Sequence, residues 1–204
     1  MSPESGSAAH TITDPNSARG RLLMQAAHLF RDKGYERTTV RDLAAAVGIQ
    51  SGSIFHHFRT KEEILKAVMT EAILVNTERM RTRRDCAPDT VSALRALIEC
   101  ELESINGDTG EAMAVLVYEW RSLSPESQKS ILRLRDVYEG LWMETLERAR
   151  EQGLIQADPF ALRRFLTGAL SWTITWYRRD GDMTLADLAD QAMAMLQLND
   201  SCDG

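Results

Sequence analysis

Three features of this 204-residue sequence predict an all-α fold, a three-helix helix-turn-helix head joined to a larger helical-bundle body. Apolar residues recur at helical spacing along most of the chain, and no run of convincing length alternates with the period of two that a half-buried strand requires. Glycine and proline fall where helices should stop or start. Finally, TTVRDLAAAVGIQSGSIFHHFRTK, from Thr38 to Lys61, holds two short helical patterns separated by Gly48. Helices that cross steeply need a small residue at the crossing, here Ala44, and a residue tolerant of positive φ in the turn, here Gly48.

In chain order, residues 1–16 are rich in Ser, Pro, Ala and Thr and are expected to form a disordered arm. Ala18 to Lys33 carries an apolar stripe of Leu22, Leu23, Ala26, Ala27, Leu29 and Phe30, ended by Gly34. Thr39 with Asp42 reads as the cap of the next helix, and Ser51 as the N-cap of the one after it. Thr60 and Glu63 form a capping box that opens a long helix toward Arg79, and the charged stretch RMRTRRDCAPD that follows reads as a linking loop. Further helices are expected over 90–105, 110–122, 125–152, 159–178 and 184–196. Ser124-Pro125 and Asp158-Pro159 each place a capping residue before a proline at the first helical position. The expected division is 1–16 arm, 17–62 head and 63–200 body.

Charge separates the two parts. From Pro15 to Lys61 there are eight Lys/Arg against three Asp/Glu, a net +5, whereas from Glu62 onward sixteen stand against twenty-five, a net −9. A basic head on an acidic body suits local contact with DNA and little non-specific binding elsewhere. Cys86, Cys100 and Cys202 lack metal-ligand spacing, which points to a reducing compartment. No apolar run is long enough to span a membrane and the N-terminal residues are polar, so a cytoplasmic protein is expected.

The run GYERTTVRDLAAAVGIQSGSIFHHFRTKEEIL, with the helix before it, resembles the DNA-binding domain of the TetR family of bacterial transcriptional regulators. The resemblance implies that Thr39 and Arg41 contact phosphate and base. It places Ser51, Gly52, Ser53, Phe55, His56 and His57 on or beside the recognition helix in the major groove, with Lys61 holding a phosphate. Phe55 departs from the tyrosine usual there and loses a phosphate-binding hydroxyl. His56 and His57 point about 100° apart on a helix and have no further ligands nearby, so neither a metal nor a cofactor is expected.

In the body, Trp120, Tyr138, Trp142, Trp172 and Trp176 sit on three predicted helices. With Met113 and Val117 they could line one apolar cavity for a small-molecule effector, or could be plain core. Arg121, within LVYEWRSL, needs an anionic partner if its helix is buried, either a ligand or a carboxylate such as Glu139 or Glu144. YEWRSLSPE, RDVYEGLW and GALSWTITWY are similar to a TetR subgroup that responds to acyl-CoA thioesters of lipid or sterol breakdown. Arg163-Arg164 and Arg178-Arg179 could meet the CoA phosphates or be solvated helix ends.

A short recognition helix reads few base pairs, so a homodimer on a palindromic operator is expected. Gly168, Ser171 and Thr175 offer a small-residue strip, and Leu185, Leu188, Ala192 and Leu196 an apolar seam. The resemblance favours these two helices as the dimer interface over a place in the core. No histidine follows His57, which removes Glu-x-x-His pairs and Ser-His-Asp arrangements from the body and argues against an enzyme.

Overall fold

The computed structural model describes residues 12–107 and 110–196, and the described residues form nine α-helices and no strand. The sequence expectations for residues 1–11 and for Cys202 lie outside them. From Ile12 to Asn16 the chain is not a free arm. Both the N–H and the hydroxyl of Thr13 donate to Glu71, and the crossing at Gly20 is so close that a Cβ there would lie 2.2 Å from the Asp14 carbonyl.

The head is built from α1 (Ala18–Lys33), α2 (Val40–Ala46) and α3 (Ser51–Ile54). Ser17 caps α1, and Gly34, at φ 81°, turns the chain at its end. Thr39 and Asp42 close the expected reciprocal box at the start of α2, and Gly48 takes φ 70° in the turn. The N-cap of α3 is Gln50 rather than Ser51. The Gln50 carbonyl accepts the Ser53 N–H at 2.9 Å, which draws Ser51 into the first turn.

α4 (Lys61–Asp85) takes in the first seven residues of the stretch expected to be a loop, which is left as the short connection 86–89. Its basic residues serve as anchors rather than as a solvated linker. Arg83 meets Glu103 at 2.8 Å, Arg84 meets Glu144 at 2.8 Å, and Met80 is buried in the body core. The body continues with α5 (Thr90–Asn106), α6 (Gly110–Tyr118), α7 (Pro125–Glu151), α8 (Pro159–Trp172) and α9 (Leu185–Met195). Two helices end earlier than their apolar pattern suggests, in 3-10 turns at Trp120–Ser122 and Thr173–Thr175. In the second, the Thr173 and Thr175 hydroxyls donate to the Leu170 and Trp172 carbonyls, local bonds that compete with continued helix.

Two apolar clusters hold the chain together. One joins α1 to α4 and reaches Val115, Leu123 and Ile131 of the body, and the other gathers α5, α7, α8 and α9 around Trp142. The head is therefore cored partly by α6 and α7.

Candidate nucleic-acid interface and helical body

Thr39, Arg41, Gly52, Phe55, His56 and His57 are exposed on α2, α3 and the turn after it, while Ser51 and Ser53 are half-buried. Leu43, Ala44 and Ile54 are buried beneath them against Phe30, Leu65 and Phe58, so the motif presents its polar side outward from a rigid floor. A Cβ on Gly52 would meet no atom within 4 Å, which leaves its backbone open to close approach. The Thr39 hydroxyl is engaged by the Asp42 carboxylate and N–H. The motif does not mark Arg37 and Arg59, exposed cations that flank it; the local excess of positive charge is their signal in the sequence.

Lys61 corrects one expectation. Its ammonium turns inward and donates to the carbonyls of Tyr35 (2.9 Å), Thr38 (3.1 Å) and Glu36 (3.5 Å), over the face of the Tyr35 ring. In this arrangement it clamps the α1–α2 turn and offers no donor to a phosphate. Lys61→Met should lower the melting temperature by roughly 2–8 °C, as expected for lost charge-assisted hydrogen bonds. Its DNA binding should keep the salt slope of the parent protein. A slope reduced by about 0.9 in a salt titration would instead assign Lys61 to a phosphate.

Carboxylates fasten the head to the body. Glu62 accepts the Ser124 N–H and the Ser127 hydroxyl, both at 2.9 Å, at the start of α7. Hydrogen bonds from Ser124 and Ser127 hold its carboxyl below the usual range. Glu119 accepts the Tyr35 N–H at 2.9 Å, and Glu111 of α6 pairs with Arg31 of α1 at 2.7 Å. A shift of α6 or of the first turn of α7 is thereby felt by the head.

The eight residues expected to take part in ligand binding are not brought together. Val117 and Arg121 are exposed and Met113 is half-buried. Trp120 packs on the head cluster. Trp172 and Trp176 are 67% and 50% exposed, since the inward stripe of α8 is Arg163, Leu166 and Leu170, and the helix stops before Trp176. Arg121 sits on a 3-10 turn in solvent, so it has no buried charge to neutralise. Glu139 and Glu144 serve Arg163 and Arg84 instead.

Tyr138 and Trp142 do meet, and they do so around a group that the pattern hides. Glu101 of α5 is buried and accepts the Tyr138 hydroxyl and, at 3.1 Å, the Trp142 Nε1–H. Arg163, only 1% exposed, lies 3.6 Å from Glu101 and is held by Glu139 through Nε at 2.9 Å and Nη2 at 3.2 Å. Its guanidinium stacks 4.4 Å from the centre of the Trp142 ring. Burial, then the adjacent carboxylate, pushes the Tyr138 hydroxyl well above its usual range. Arg163 is thus neither a solvated helix end nor a phosphate contact. Arg164 covers Phe160, and Arg178 and Arg179 lie beyond the end of α8, where Arg179 Nε donates to the Asn106 carbonyl.

Gly168, Ser171 and Thr175 are exposed along α8 and the turn after it, beside Phe165 and Trp172. The seam of α9 faces the other way. Leu188 and Ala192 are buried, and Leu185 and Leu196 pack with them on the body core, because α9 lies along α5.

No helix among the described residues is long and apolar enough to cross a membrane, and no group of three or more His, Cys, Asp or Glu among them could hold a metal ion. Residues 22–68 match the family described as bacterial regulatory proteins, tetR family, and residues 88–198 match the tetracyclin repressor-like C-terminal domain. The chain is 31% identical over 182 residues to the HTH-type transcriptional repressor KstR2 of Rhodococcus jostii RHA1, covering 87% of this chain and 88% of that one. Among solved structures it resembles superantigen PfiT, at 61% identity and TM-score 0.82, over 92% of this chain and 99% of that one. It also resembles AibR in complex with isovaleryl coenzyme A and operator DNA, at 26% identity and TM-score 0.80, over 89% and 99%. The KstR2 relatives are transcriptional repressors, not enzymes. With its helix-turn-helix matched by the N-terminal domain of the family and more than half of its length matched by a C-terminal one, this chain belongs to the TetR family of bacterial transcriptional regulators.

Proposed function

We propose that this protein is a ligand-responsive repressor that binds a palindromic operator as a homodimer and is released by a small amphipathic effector of the acyl-CoA thioester class. The observation that carries the reading is the exposed polar side of the α2–α3 motif, set on an apolar floor and fastened through Glu62, Glu111 and Glu119 to the body. Arg41, Gly52, Ser53, Phe55, His56 and His57 would contact DNA, with Arg37 and Arg59 adding charge at the flanks. The effector class is supported by the isovaleryl coenzyme A held in the AibR structure. Effector and operator prefer different head orientations, so each weakens the other by one coupling factor.

Binding of the purified protein to its own upstream DNA, with acyl-CoA thioesters and free CoA in parallel, tests this reading. Specific binding released by an acyl-CoA but not by CoA is expected; release by none of them removes the effector class and leaves a DNA-binding protein without that effector. On the same DNA, Ser53→Ala and His56→Ala should change base preference. Arg41→Ala should weaken all sequences and lower the salt slope by about 0.9. Sequence-blind losses from all three would reject the recognition-helix assignment.

The 61% identity to superantigen PfiT favours a second reading, in which the exposed aromatics of α8 meet a protein partner. Stimulation of T cells by the purified protein would support it, and an inert protein would remove it.

A further inference from the structure

We infer that the groove between α1, α4 and α6 binds a small cationic amphiphile, an apolar chain or ring system that ends in an ammonium group. This is independent of the operator and effector readings above. The groove encloses about 540 Å³, within the roughly 300–1,000 Å³ typical of small-molecule sites. Leu23 and Met24 of α1 and Val68 and Ala72 of α4 line it, together with Ile12. Its surface is overwhelmingly apolar, so an occupant must bring apolar area to cover.

The polar edge states what charge that occupant carries. The ionisable side chains lining the groove are Glu71 and Glu111, both acidic. Glu111 already has Arg31 at 2.7 Å and His28 at 3.3 Å. Glu71 differs: it is half-buried and accepts both the N–H and the hydroxyl of Thr13, yet no cation among the described residues lies within ion-pair distance. A half-buried carboxylate beside an apolar wall favours a ligand that supplies the missing positive charge while its hydrocarbon covers the wall. An anionic amphiphile would place like charges together.

The site has a consequence for the head, because its walls are the supporting helix α1 and the helix α4 that leaves the head. An occupant touching both would bias the angle between them, which links its binding to that of DNA.

Calorimetric titration of the full-length protein with decylammonium, decanol and decanoate, each below its micelle concentration, tests the inference. Decylammonium should bind most tightly and decanoate least. Glu71→Gln should bring decylammonium down to the level of decanol, a loss of roughly 10-fold. Met24→Trp should weaken both ligands by crowding the groove, and since Met24 is 54% exposed the protomer should tolerate the change; Ala72→Phe crowds it from α4 and checks the same point. Failure of decylammonium to bind, or binding no better than that of decanoate, overturns the assignment. So does binding that Met24→Trp leaves unchanged, which would move the amphiphile to another apolar surface such as the outer side of α8.

Discussion

Arg163→Met should lower the melting temperature by roughly 6–20 °C, the shift expected when one partner of a buried ion pair worth about 3–5 kcal/mol is removed from a chain of this size. The reason is what remains behind. Glu139 loses both of its bonds to the guanidinium, and Glu101, already desolvated under Trp142 and Tyr138, loses its nearest cation. The side chain of methionine can refill much of the apolar stem's volume, so the loss measures stranded charge more than a cavity.

Adding Glu101→Gln and Glu139→Gln to Arg163→Met should restore most of the lost stability, because a charge-free site no longer carries unpaired ions. Scanning calorimetry of the single and triple variants decides the matter. A single variant within about 2 °C of the parent at neutral pH would mean that these carboxylates are solvated and that packing alone holds α8.

The same arginine marks where the sequence stops being legible. Helix starts can be read because their causes are local: Thr39 with Asp42, Ser124 before Pro125, Asp158 before Pro159, and Thr184 before Leu185 each supply a cap within three residues of the donor they satisfy. Helix rotation, and the point at which α4 ends, depend on partners far away in the chain. The basic run after Arg79 looks like a linker until Glu103 and Glu144 are placed beside it, and then it is the last turns of α4. On α8 the inward positions are Arg163, Leu166 and Leu170. A charged residue at one of them breaks the apolar stripe, and the eye moves to the tryptophans instead. Trp172, seven residues after Phe165, belongs to the other side. The head was readable for the opposite reason, since Ala44, Gly48 and the caps of α2 and α4 are all set by short-range sterics. Even there the sequence located Lys61 without revealing its partners, which are carbonyls more than twenty residues earlier.

Phe165→Glu with Trp172→Glu should leave the protein, proposed above to be a homodimer, as a monomer of 22.9 kDa and weaken specific DNA binding by roughly 10²–10⁴-fold. These side chains are 76% and 67% exposed in the protomer, and between them Gly168 leaves the helix surface open, so the outer side of α8 is an apolar strip on which no described residue of its own chain packs. Two such strips related by a two-fold axis would cover one another, and linking two heads makes the second half-site contact intramolecular. Gly168→Glu sharpens the test. A Cβ at that position meets no atom within 4 Å in the protomer, and an exposed helix interior gains from losing a glycine, so the variant should melt no lower than the parent as a folded chain. Only a partner helix packed closely against α8 would object to the new side chain. Monomeric, well-folded Gly168→Glu with weak operator binding would therefore place the two-fold axis at this strip. A Gly168→Glu protein that stays dimeric and holds its operator would put the interface elsewhere and leave the aromatic strip for another protein.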